Sequence, residues 1–317
     1  MRSSLLIAII LACIFPAVAL AIAEPYVMDE DVVTLTSEDN MQDQLDCKLK
    51  VSVLTDTGAV QMELEEYICC VVLAEMPADF EPEALKAQAV VARTYTCRKR
   101  EESKHSLADV CTDFSCCQAF FSPEYFLQNG GTEEALEKVR SAVYDTKGEV
   151  LFYNGELIEA TYFSCSGGKT EDAQAVWGTE VPYLQSVSSP GEENATHYMD
   201  TVIFSSAQFC EKLDVPLPAL LDYGIGNISY TNGGGVETIV IGGNTFSGTR
   251  VRQMLGLRST AFVITWAGES VTVTTKGFGH RVGMSQYGAE AMAVAGSDYK
   301  EILYHYYQGT ELSSVSG

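Results

Sequence analysis

Segments with the hydrophobic period of a helix and segments with the period of a strand follow one another irregularly along this chain. Their order limits the fold classes that the chain can adopt. Apolar and polar side chains alternate over Leu49–Val60 and break at Asp56–Gly58, which predicts two strands joined by a turn. An apolar stripe with helix spacing follows over Leu64–Met76 and ends before Pro77. Because the later segments also lack a strict β-α-β rhythm, we expect an α+β fold with mixed helices and antiparallel strands.

Capping and turn signals predict the further elements. A second helix begins near Pro82 and reaches about Arg100, and a third covers Glu133–Tyr144 with Thr132 as its N-cap. The remaining predictions are a hairpin over Glu149–Phe163 that turns at Asn154-Gly155, strands over Gly233–Phe246 and Ala261–Thr275, and helices over Ser285–Ala295 and Asp298–Gln308.

The N-terminus carries an uncharged apolar run from Leu5 to Ala23, 19 residues long. As a helix it just crosses a hydrocarbon core of about 30 Å. We interpret residues 1–23 as a membrane anchor or, because the run ends in small residues, as a cleaved signal; a lipoprotein signal around Cys13 is a third interpretation. One basic residue, Arg2, precedes the run and none follows closely, so the rest of the chain is expected outside the cytoplasm.

Charge divides the rest of the chain. Residues 24–46 contain eight acidic residues and no basic one, which predicts a solvated linker before the folded part of the chain. Within that folded part we expect a second subdomain at about 190–275. The whole chain has 20 Lys and Arg against 43 Asp and Glu, a net charge of −23. Such a surface repels phosphate backbones and anionic lipid, which disfavours binding to nucleic acid or to lipid surfaces.

Glu75 interrupts the apolar stripe of the first predicted helix. The preceding positions on the same face are Leu, Ile and Val. Burial of a carboxylate among them costs free energy and raises its pKa, and a protonated acid near neutral pH suits the cleavage of glycosidic bonds. From the pattern alone, the alternative is a helix-end charge that faces water or pairs with Lys86 or Arg93.

Three cysteines, Cys111, Cys116 and Cys117, lie within seven residues, and His105 lies six residues before the first of them. Thiolate and imidazole are common zinc ligands, so this cluster is more typical of a metal site than of a disulfide framework. A disulfide such as Cys111 to Cys117 is the competing interpretation. If two adjacent cysteines cannot both bind one ion, Asp113 could complete the ligand set.

A resemblance to a known family begins in the segment Leu64–Tyr95, LEEYICCVVLAEMPADFEPEALKAQAVVARTY. It resembles the signature of the stage II sporulation protein D (SpoIID) family, membrane-anchored lytic transglycosylases of spore-forming bacteria. Three further segments agree in order, Glu159–Val187, Gly242–Thr260 and Gly277–Ala293. The resemblance spans about residues 45–312, includes the N-terminal anchor, and implies that 47–312 is a catalytic region around a glycan-binding groove.

The resemblance implies cleavage of peptidoglycan between N-acetylmuramic acid and N-acetylglucosamine. The single acid of the family's AEMP motif is Glu75 here. It would protonate the glycosidic oxygen and then deprotonate the muramoyl C6 hydroxyl, which attacks C1 and leaves a 1,6-anhydro end. Because the nucleophile belongs to the substrate, no second carboxylate is required.

The resemblance also implies further site residues and a cofactor. Residues expected to line the glycan groove are Arg93, Tyr95, Tyr162, Ser164, Gly168, His280, Ser285, Gln286 and Tyr287. A structural Zn²⁺ ion is expected on His105, Cys111, Cys116 and Cys117, although the family usually has His at the position of Cys116.

Partners and location follow from the same resemblance. It implies a single-pass protein of the cell membrane that acts outside the cytoplasm on peptide-stripped glycan strands, in septal wall remodelling and engulfment during sporulation. A sporulation amidase and a membrane protein of the engulfment complex would be its partners. Because relatives that share this domain include amidase enhancers, the alternative is a non-enzymatic wall-binding or amidase-enhancing protein; a zinc hydrolase is a third hypothesis.

Overall fold

The structure is a computed structural model that describes residues 50–315. These residues belong to one compact unit, Leu45–Gly317. The anchor or signal predicted at 1–23 and the linker predicted at 24–46 lie outside the described residues. Between residues 50 and 315, every helix is too short or too polar to cross a membrane.

The chain opens with a hairpin and two helices, as the periodicity predicts. Strand β1 (Lys50–Thr55) pairs antiparallel with β2 (Gly58–Glu63). Helix α1 (Leu64–Glu75) follows directly and ends before Pro77. Helix α2 (Pro82–Glu101) starts with its proline in the first turn, where the missing N–H costs no hydrogen bond.

A short strand and two helices come next. Strand β3 (Val110–Cys111) adds to β1 in parallel, and helix α3 (Pro123–Gln128) was not predicted because it is only six residues long. Helix α4 (Glu133–Asp145) has the predicted N-cap: the Thr132 hydroxyl accepts a hydrogen bond of 3.1 Å from the Ala135 N–H.

The predicted hairpin around Asn154-Gly155 forms, but it is shorter than expected. Both turn residues have positive φ, 52° and 81°, as a type I′ turn requires. Strand β4 (Glu149–Tyr153) pairs with β5 (Glu156–Leu157), and β14 (Glu311–Ser314) covers the other edge of β4. Strand β6 (Tyr162–Phe163) leaves this hairpin and pairs elsewhere.

Residues from about 173 to 276 build four short helices and two further three-stranded sheets. The elements are α5 (Ala173–Trp177), β7 (Met199–Ser205), α6 (Ser206–Leu213), α7 (Leu217–Tyr223), β8 (Ile225–Tyr230), β9 (Val236–Ile241), β10 (Asn244–Ser247), α8 (Gly248–Leu255), β11 (Phe262–Ala267) and β12 (Ser270–Lys276). The sheets have strand orders β10-β9-β8 and β11-β12-β7 and are antiparallel throughout.

The C-terminal part returns to the first helices. Strand β13 (Met284–Ser285) pairs in parallel with β6, and helices α9 (Gln286–Val294) and α10 (Tyr299–Tyr306) pack on α2. In the described residues, only this pair and β1 with β3 are parallel among the strands. The prediction of an α+β fold with antiparallel sheets is therefore confirmed.

Two hydrophobic cores lie within the unit. The larger core is formed by α1, α2, α4 and the elements packed on them, and the smaller core contains buried residues from Phe204 to Val273. A buried ion pair of 3.2 Å between Arg281 and Glu171 lies where they meet, and Arg281 also donates to the carbonyl of Gly233. The subdomain at about 190–275 stays a prediction.

Candidate functional site

Glu75 is the last residue of α1, and the fold half-buries its carboxyl group. The backbone N–H of Ala119 donates a 2.7 Å hydrogen bond to Oε1. The last turn of α1 carries no basic side chain, so nothing offsets the negative end of the helix dipole beside this carboxylate. Of the interpretations that the pattern left open, the structure thus has the inward one: the carboxyl is half-buried, and it pairs with neither Lys86 nor Arg93.

Burial raises the pKa of the Glu75 carboxyl above its ordinary value, and three neighbours oppose this rise in part. They are the Ala119 N–H and the side chains of Tyr162 and Gln286. No charged group of the described residues contributes to this shift. The surroundings therefore favour a protonated carboxyl, which is the form that a general acid needs.

Neutral polar side chains surround this carboxyl. The Tyr162 hydroxyl donates to Gln118 Oε1 at 3.1 Å, and burial, with the nearby Glu75 charge, holds the pKa of Tyr162 well above its usual value. Gln286 Nε2 is buried and makes no hydrogen bond to a described residue. The parallel pairing of β6 with β13 brings Tyr162 and Gln286 together from positions more than 120 residues apart.

Gln118 is a site residue that the sequence analysis missed. Its Oε1 accepts from Tyr162, and its Nε2 donates to Thr96 Oγ1 at 3.0 Å. The signal that could have found it is its place between the cysteine cluster and Ala119, the residue that bonds to Glu75.

The predicted serines of the groove make backbone contacts. The carbonyl of Ser164 accepts hydrogen bonds from the N–H of Tyr287 at 3.1 Å and from Ser285 Oγ at 3.5 Å. Ser285 Oγ also accepts from the N–H of Gly288 and so caps α9. These three predicted residues are brought together, and their contacts fix the start of α9 beside Gln286.

The small-residue loop at 164–168 is held by Glu192, which the sequence analysis also missed. The buried Glu192 carboxylate accepts from the N–H groups of Ser166 and Gly167 at 2.7 and 2.9 Å. Gly168 follows with φ of 111°, a conformation that favours glycine. Glu192 therefore sets the shape of this loop, and no signal in its own neighbourhood in the sequence indicates that role.

His280 lies among aromatic rings. Its ring centroid is 5.6 Å from that of Phe163 and 5.4 Å from that of Trp177. Burial, with the nearby Arg252 charge, lowers the pKa of His280 to about 4, so the ring is neutral at physiological pH. The Val282 N–H donates to Nδ1 at 3.1 Å, which places the ring proton on Nε2.

Arg93 does not line the site, so its prediction as a substrate-binding residue is wrong. The side chain is fully buried and pairs with Glu65 at 2.6 Å. The remaining donors bond to the carbonyls of Glu149 and Val143, both at 3.1 Å. Since the charge and the donors are satisfied inside the protein, Arg93 holds α1, α2 and β4 together instead of contacting a ligand.

The predicted metal ligands come together. One ligand atom from each of His105, Cys111, Cys116 and Cys117 lies within 4.8 Å of the others, and His105 Nε2 is 3.2 Å from Cys117 Sγ. The thiols are free, so the alternative disulfide is not formed. One imidazole and three thiolates fit Zn²⁺. Tyr95, a predicted groove residue, donates to the carbonyl of Cys116 at 3.4 Å and so contacts this cluster.

Comparison with known proteins places the chain in a family. Residues 55–153 match the family model described as Stage II sporulation protein. Stage II sporulation protein D of Bacillus subtilis (strain 168) is 44% identical over 261 residues, which cover 80% of this chain and 75% of that protein. The chain belongs to the SpoIID family. A second SpoIID, from Bacillus amyloliquefaciens, is 42% identical over 258 residues, 80% of this chain and 74% of that protein.

A more distant relative has a different name. The protein called Amidase enhancer in Bacillus subtilis (strain 168) is 30% identical over 294 residues, 76% of this chain but 39% of that protein. The part matched by the SpoIID family model contains Glu75 and the cysteine cluster, whereas Tyr162, His280 and Gln286 lie beyond it.

Proposed function

We propose that this SpoIID family member is a lytic transglycosylase that cleaves the bond between N-acetylmuramic acid and N-acetylglucosamine in peptide-stripped peptidoglycan. One observation carries the proposal: a single carboxyl, Glu75, sits half-buried among neutral polar side chains with its pKa raised by burial. Ordinary glycosidases use two carboxyl groups on either side of the bond. A lone acid suits a reaction whose nucleophile comes from the substrate.

The chemistry assigns two proton transfers to Glu75. The protonated carboxyl gives its proton to the glycosidic oxygen, and that oxygen leaves with the electrons of the C1–O bond. The resulting carboxylate takes the proton of the muramoyl C6 hydroxyl, whose oxygen forms the new bond to C1. The Ala119 N–H steadies the carboxylate between the two steps, and the intramolecular attack needs no activated water.

The neighbours of Glu75 suit the binding of a sugar. Gln286 is a neutral side chain beside the Glu75 carboxyl; its Nε2 is buried, and it lowers the pKa of that carboxyl in part, so it would support the carboxylate between the two proton transfers. Tyr162 and Gln118 hold one another by a hydrogen bond, and Tyr162 stays uncharged, so Tyr162 lowers the pKa of Glu75 only through hydrogen bonding and adds no charge beside it. In this proposal, the further residues that line the glycan groove are Ser164, Gly168, Ser285, Tyr287 and His280.

Zn²⁺ is proposed as a structural cofactor of the loop beside this site. His105, Cys111, Cys116 and Cys117 would supply four protein ligands, which leaves no open coordination position for catalysis. Cys117 directly precedes Gln118 and Ala119, so the ion would fix the segment that supports Glu75.

The proposed setting follows from the family and from the N-terminus. Residues 1–23 would hold the protein at the cell membrane, with the catalytic region on the extracytoplasmic side, where it would act on septal peptidoglycan during engulfment. The relative named Amidase enhancer supports a link to a cell-wall amidase, which would strip the glycan before cleavage. A membrane protein of the engulfment complex is the second proposed partner.

The test compares the wild type with Glu75→Gln and with Glu124→Gln, a control for an exposed glutamate on α3. Each is incubated with peptide-free glycan strands, and the products are identified by mass spectrometry. We expect muramoyl ends one water lighter than reducing ends from the wild type and the control, and none from Glu75→Gln. Reducing ends instead would mean that water is the nucleophile.

The second candidate function, amidase enhancement without cleavage, rests on the named relative. It predicts that the wild type binds glycan, leaves it intact, and raises the rate of a cell-wall amidase. In that case Glu75→Gln would keep the full enhancing effect, because a binding protein does not need a proton donor.

A further inference from the structure

Gln118 joins two elements of the site through a buried side-chain amide. Its Nε2 donates to Thr96 Oγ1 on α2 at 3.0 Å, and its Oε1 accepts from the Tyr162 hydroxyl on β6 at 3.1 Å. The next residue, Ala119, gives its N–H to Glu75 Oε1 at 2.7 Å. Gln118 therefore lies where α2, β6 and the carboxyl of Glu75 come together.

The hydrogen bonds of Thr96 determine which end of the Gln118 amide faces Tyr162. The Thr96 hydroxyl has one proton and gives it to the carbonyl of Ala92, one turn earlier on α2, at 2.8 Å. Its oxygen can then only accept, so the end of the amide beside Thr96 is the NH₂ group. The amide oxygen of Gln118 consequently faces Tyr162.

This orientation of the amide fixes the proton of the Tyr162 hydroxyl. An amide oxygen only accepts hydrogen bonds, so the proton in the bond with Gln118 comes from Tyr162. A phenol carries a single hydroxyl proton, and while this bond is made that proton is not available to Glu75. The oxygen of Tyr162 keeps a lone pair that can accept from a protonated carboxyl.

The Tyr162 hydroxyl and the Glu75 carboxyl are neighbours. The residues that bond to them, Gln118 and Ala119, are adjacent in the chain, and the two bonds measure 3.1 and 2.7 Å. Burial raises the pKa of both groups, and hydrogen bonding between them lowers that of Glu75 in part and raises that of Tyr162 further. A hydroxyl proton released from Gln118 would thus be donated to the ionised carboxyl.

We propose that Gln118 is a positioning residue that keeps Glu75 in its acid form: it takes the only hydroxyl proton of Tyr162, so this hydroxyl cannot stabilise the ionised carboxyl. The inference rests on the proposed function, in which Glu75 is first an acid and then a base. A carboxyl with fewer donors holds its proton to a higher pH. Once that proton has passed to the glycosidic oxygen, the same carboxylate is the stronger base toward the C6 hydroxyl.

The titratable groups around Glu75 stay neutral while it titrates. Tyr162 faces it from β6, and Tyr67 on α1 and Tyr95 on α2 act on Tyr162 in turn. Burial raises the pKa of all three phenols, so none is ionised at physiological pH. Gln286, from α9, carries no charge, and no charged group of the described residues contributes to the pKa of Glu75.

The test measures the pKa of Glu75 by ¹³C NMR of the full chain labelled at the glutamate Cδ atoms, and the signal that is missing from Glu75→Gln assigns it. Gln118→Met removes the acceptor of the Tyr162 proton, which can then be donated to the carboxylate. We expect the proton affinity of Glu75 to fall about tenfold, a decrease of about one in pKa. Gln128→Met, at an exposed glutamine on α3, should leave this pKa unchanged.

The sign of the change separates this role from a structural one. If Gln118 only supported its own segment, its loss would move the Ala119 N–H away, and the pKa of Glu75 would rise. In a Tyr162→Phe background, Gln118→Met should cause no further fall, because no hydroxyl proton is left to release. A rise, an unchanged pKa, or a fall that persists in the Tyr162→Phe background would each overturn the proposal.

Thr96→Val is the second variant and decides alone if Gln118→Met does not fold. It is nearly isosteric and removes only the oxygen that orients the Gln118 amide. The amide can then turn its NH₂ group toward Tyr162, so the pKa of Glu75 should fall by a smaller amount than in Gln118→Met. An unchanged or raised pKa in Thr96→Val, where it is the deciding variant, overturns the proposal.

Glycan cleavage gives a second measurement. The alkaline limb of the pH–rate profile should lie about one pH unit lower in Gln118→Met than in the wild type, because the general acid loses its proton earlier. If the wild type does not cleave glycan at all, the proposed function fails, while the NMR titration still decides the role of Gln118.

Discussion

Glu75 differs from the other interior carboxylates of the described structure in the groups that donate to it. Glu65 accepts hydrogen bonds from a guanidinium, and Glu192 accepts from two backbone N–H groups and from hydroxyls. Glu75 accepts one backbone N–H and otherwise faces neutral side chains. Burial with few donors favours the acid, whereas burial with many donors favours the carboxylate.

The raised pKa of Glu75 has a consequence for stability. A group whose pKa is higher in the folded than in the unfolded state stabilises the protein below the unfolded pKa and loses that contribution as pH rises through the folded pKa. Glutamine stays neutral at every pH and can still accept from Ala119.

We therefore expect Glu75→Gln to exceed the wild type in free energy of unfolding at about pH 8, with the difference shrinking toward about pH 4. Urea denaturation at both pH values measures this, and cleavage activity should fall about 10²-fold or more in the same variant. A variant less stable than the wild type at about pH 8 would show that the ionised form is the favoured one.

The buried pair of Arg93 and Glu65 gives a second prediction. Arg93→Met leaves the Glu65 carboxylate buried without its partner and should lower the free energy of unfolding by about 3–5 kcal/mol. Lys50→Met breaks the exposed pair with Glu63 and should cost about 0–1 kcal/mol.

Adding Glu65→Leu to Arg93→Met should recover part of the loss, because the uncompensated charge is then removed. Urea denaturation measures all four proteins. If Arg93→Met kept wild-type stability but lost glycan binding, the result would show that Arg93 binds the ligand.

Short segments of this protein position the residues around Glu75. The loop from His105 to Cys117 brings together the four candidate metal ligands, and the next two residues contact Tyr162 and Glu75. The two-residue strands β6 and β13 are too short to be stable alone, yet their pairing orients the polar side chains of the site. Such short strands therefore need support from the loop that contains His105 and Cys117 and from the hydrogen bonds of Glu192.

The loop from His105 to Cys117 is predicted to bind zinc. The wild type should bind about one Zn²⁺ per chain, and the Co²⁺ form should show strong thiolate-to-metal absorption. Cys116→Ser should weaken that absorption, while Cys97→Ser, a buried thiol outside the cluster, should leave it unchanged.

Chelation should also speed amide hydrogen exchange at residues 116–119 by about tenfold or more, since the segment would lose its clamp. Mass spectrometry of peptides from this region reads the change. Unchanged exchange after complete metal removal would show that the metal ion does not hold the segment that contacts Glu75.

Across the whole molecule, the two hydrophobic cores are joined by buried polar contacts. Arg281 has φ of 67°, unusual for a residue with a side chain, and donates to the carbonyls of Ser166, Lys169 and Gly233. Glu171 accepts from Thr231 and the Gly235 N–H. These contacts link the small-residue loop to the sheet of the second core.

We expect both cores to unfold together in the wild type and separately after Arg281→Met, because Glu171 then loses its ion pair at the junction. Fluorescence of single-tryptophan variants measures the unfolding of each core separately. Trp266 packs on the smaller core, and Trp177 lies on α5, which packs on the larger core. Arg258→Met, which breaks a half-exposed pair with Asp200, should keep the transitions coincident. Coincident transitions in Arg281→Met would show that other contacts join the cores.

Local patterns in the sequence determined much of this protein. Some features depend only on residues that are close in the sequence, so they can be predicted from it. They are the apolar stripe of α1 with Glu75 at its end, the Thr132 cap and the Asn154-Gly155 turn. The cysteine cluster was equally readable because its four ligands lie within 13 residues.

Only the tertiary structure decided which distant residues surround Glu75. Helix periodicity could not predict that Arg93 lies in the core. A charged residue is rarely buried without a partner, and the partner here, Glu65, lies on another helix. Tyr162 and Gln286 meet through strand pairing across more than 120 residues, and Gln118 and Glu192 act through contacts that leave no periodic trace. Long-range pairing depends on the packing of the whole chain, and no local window contains that information.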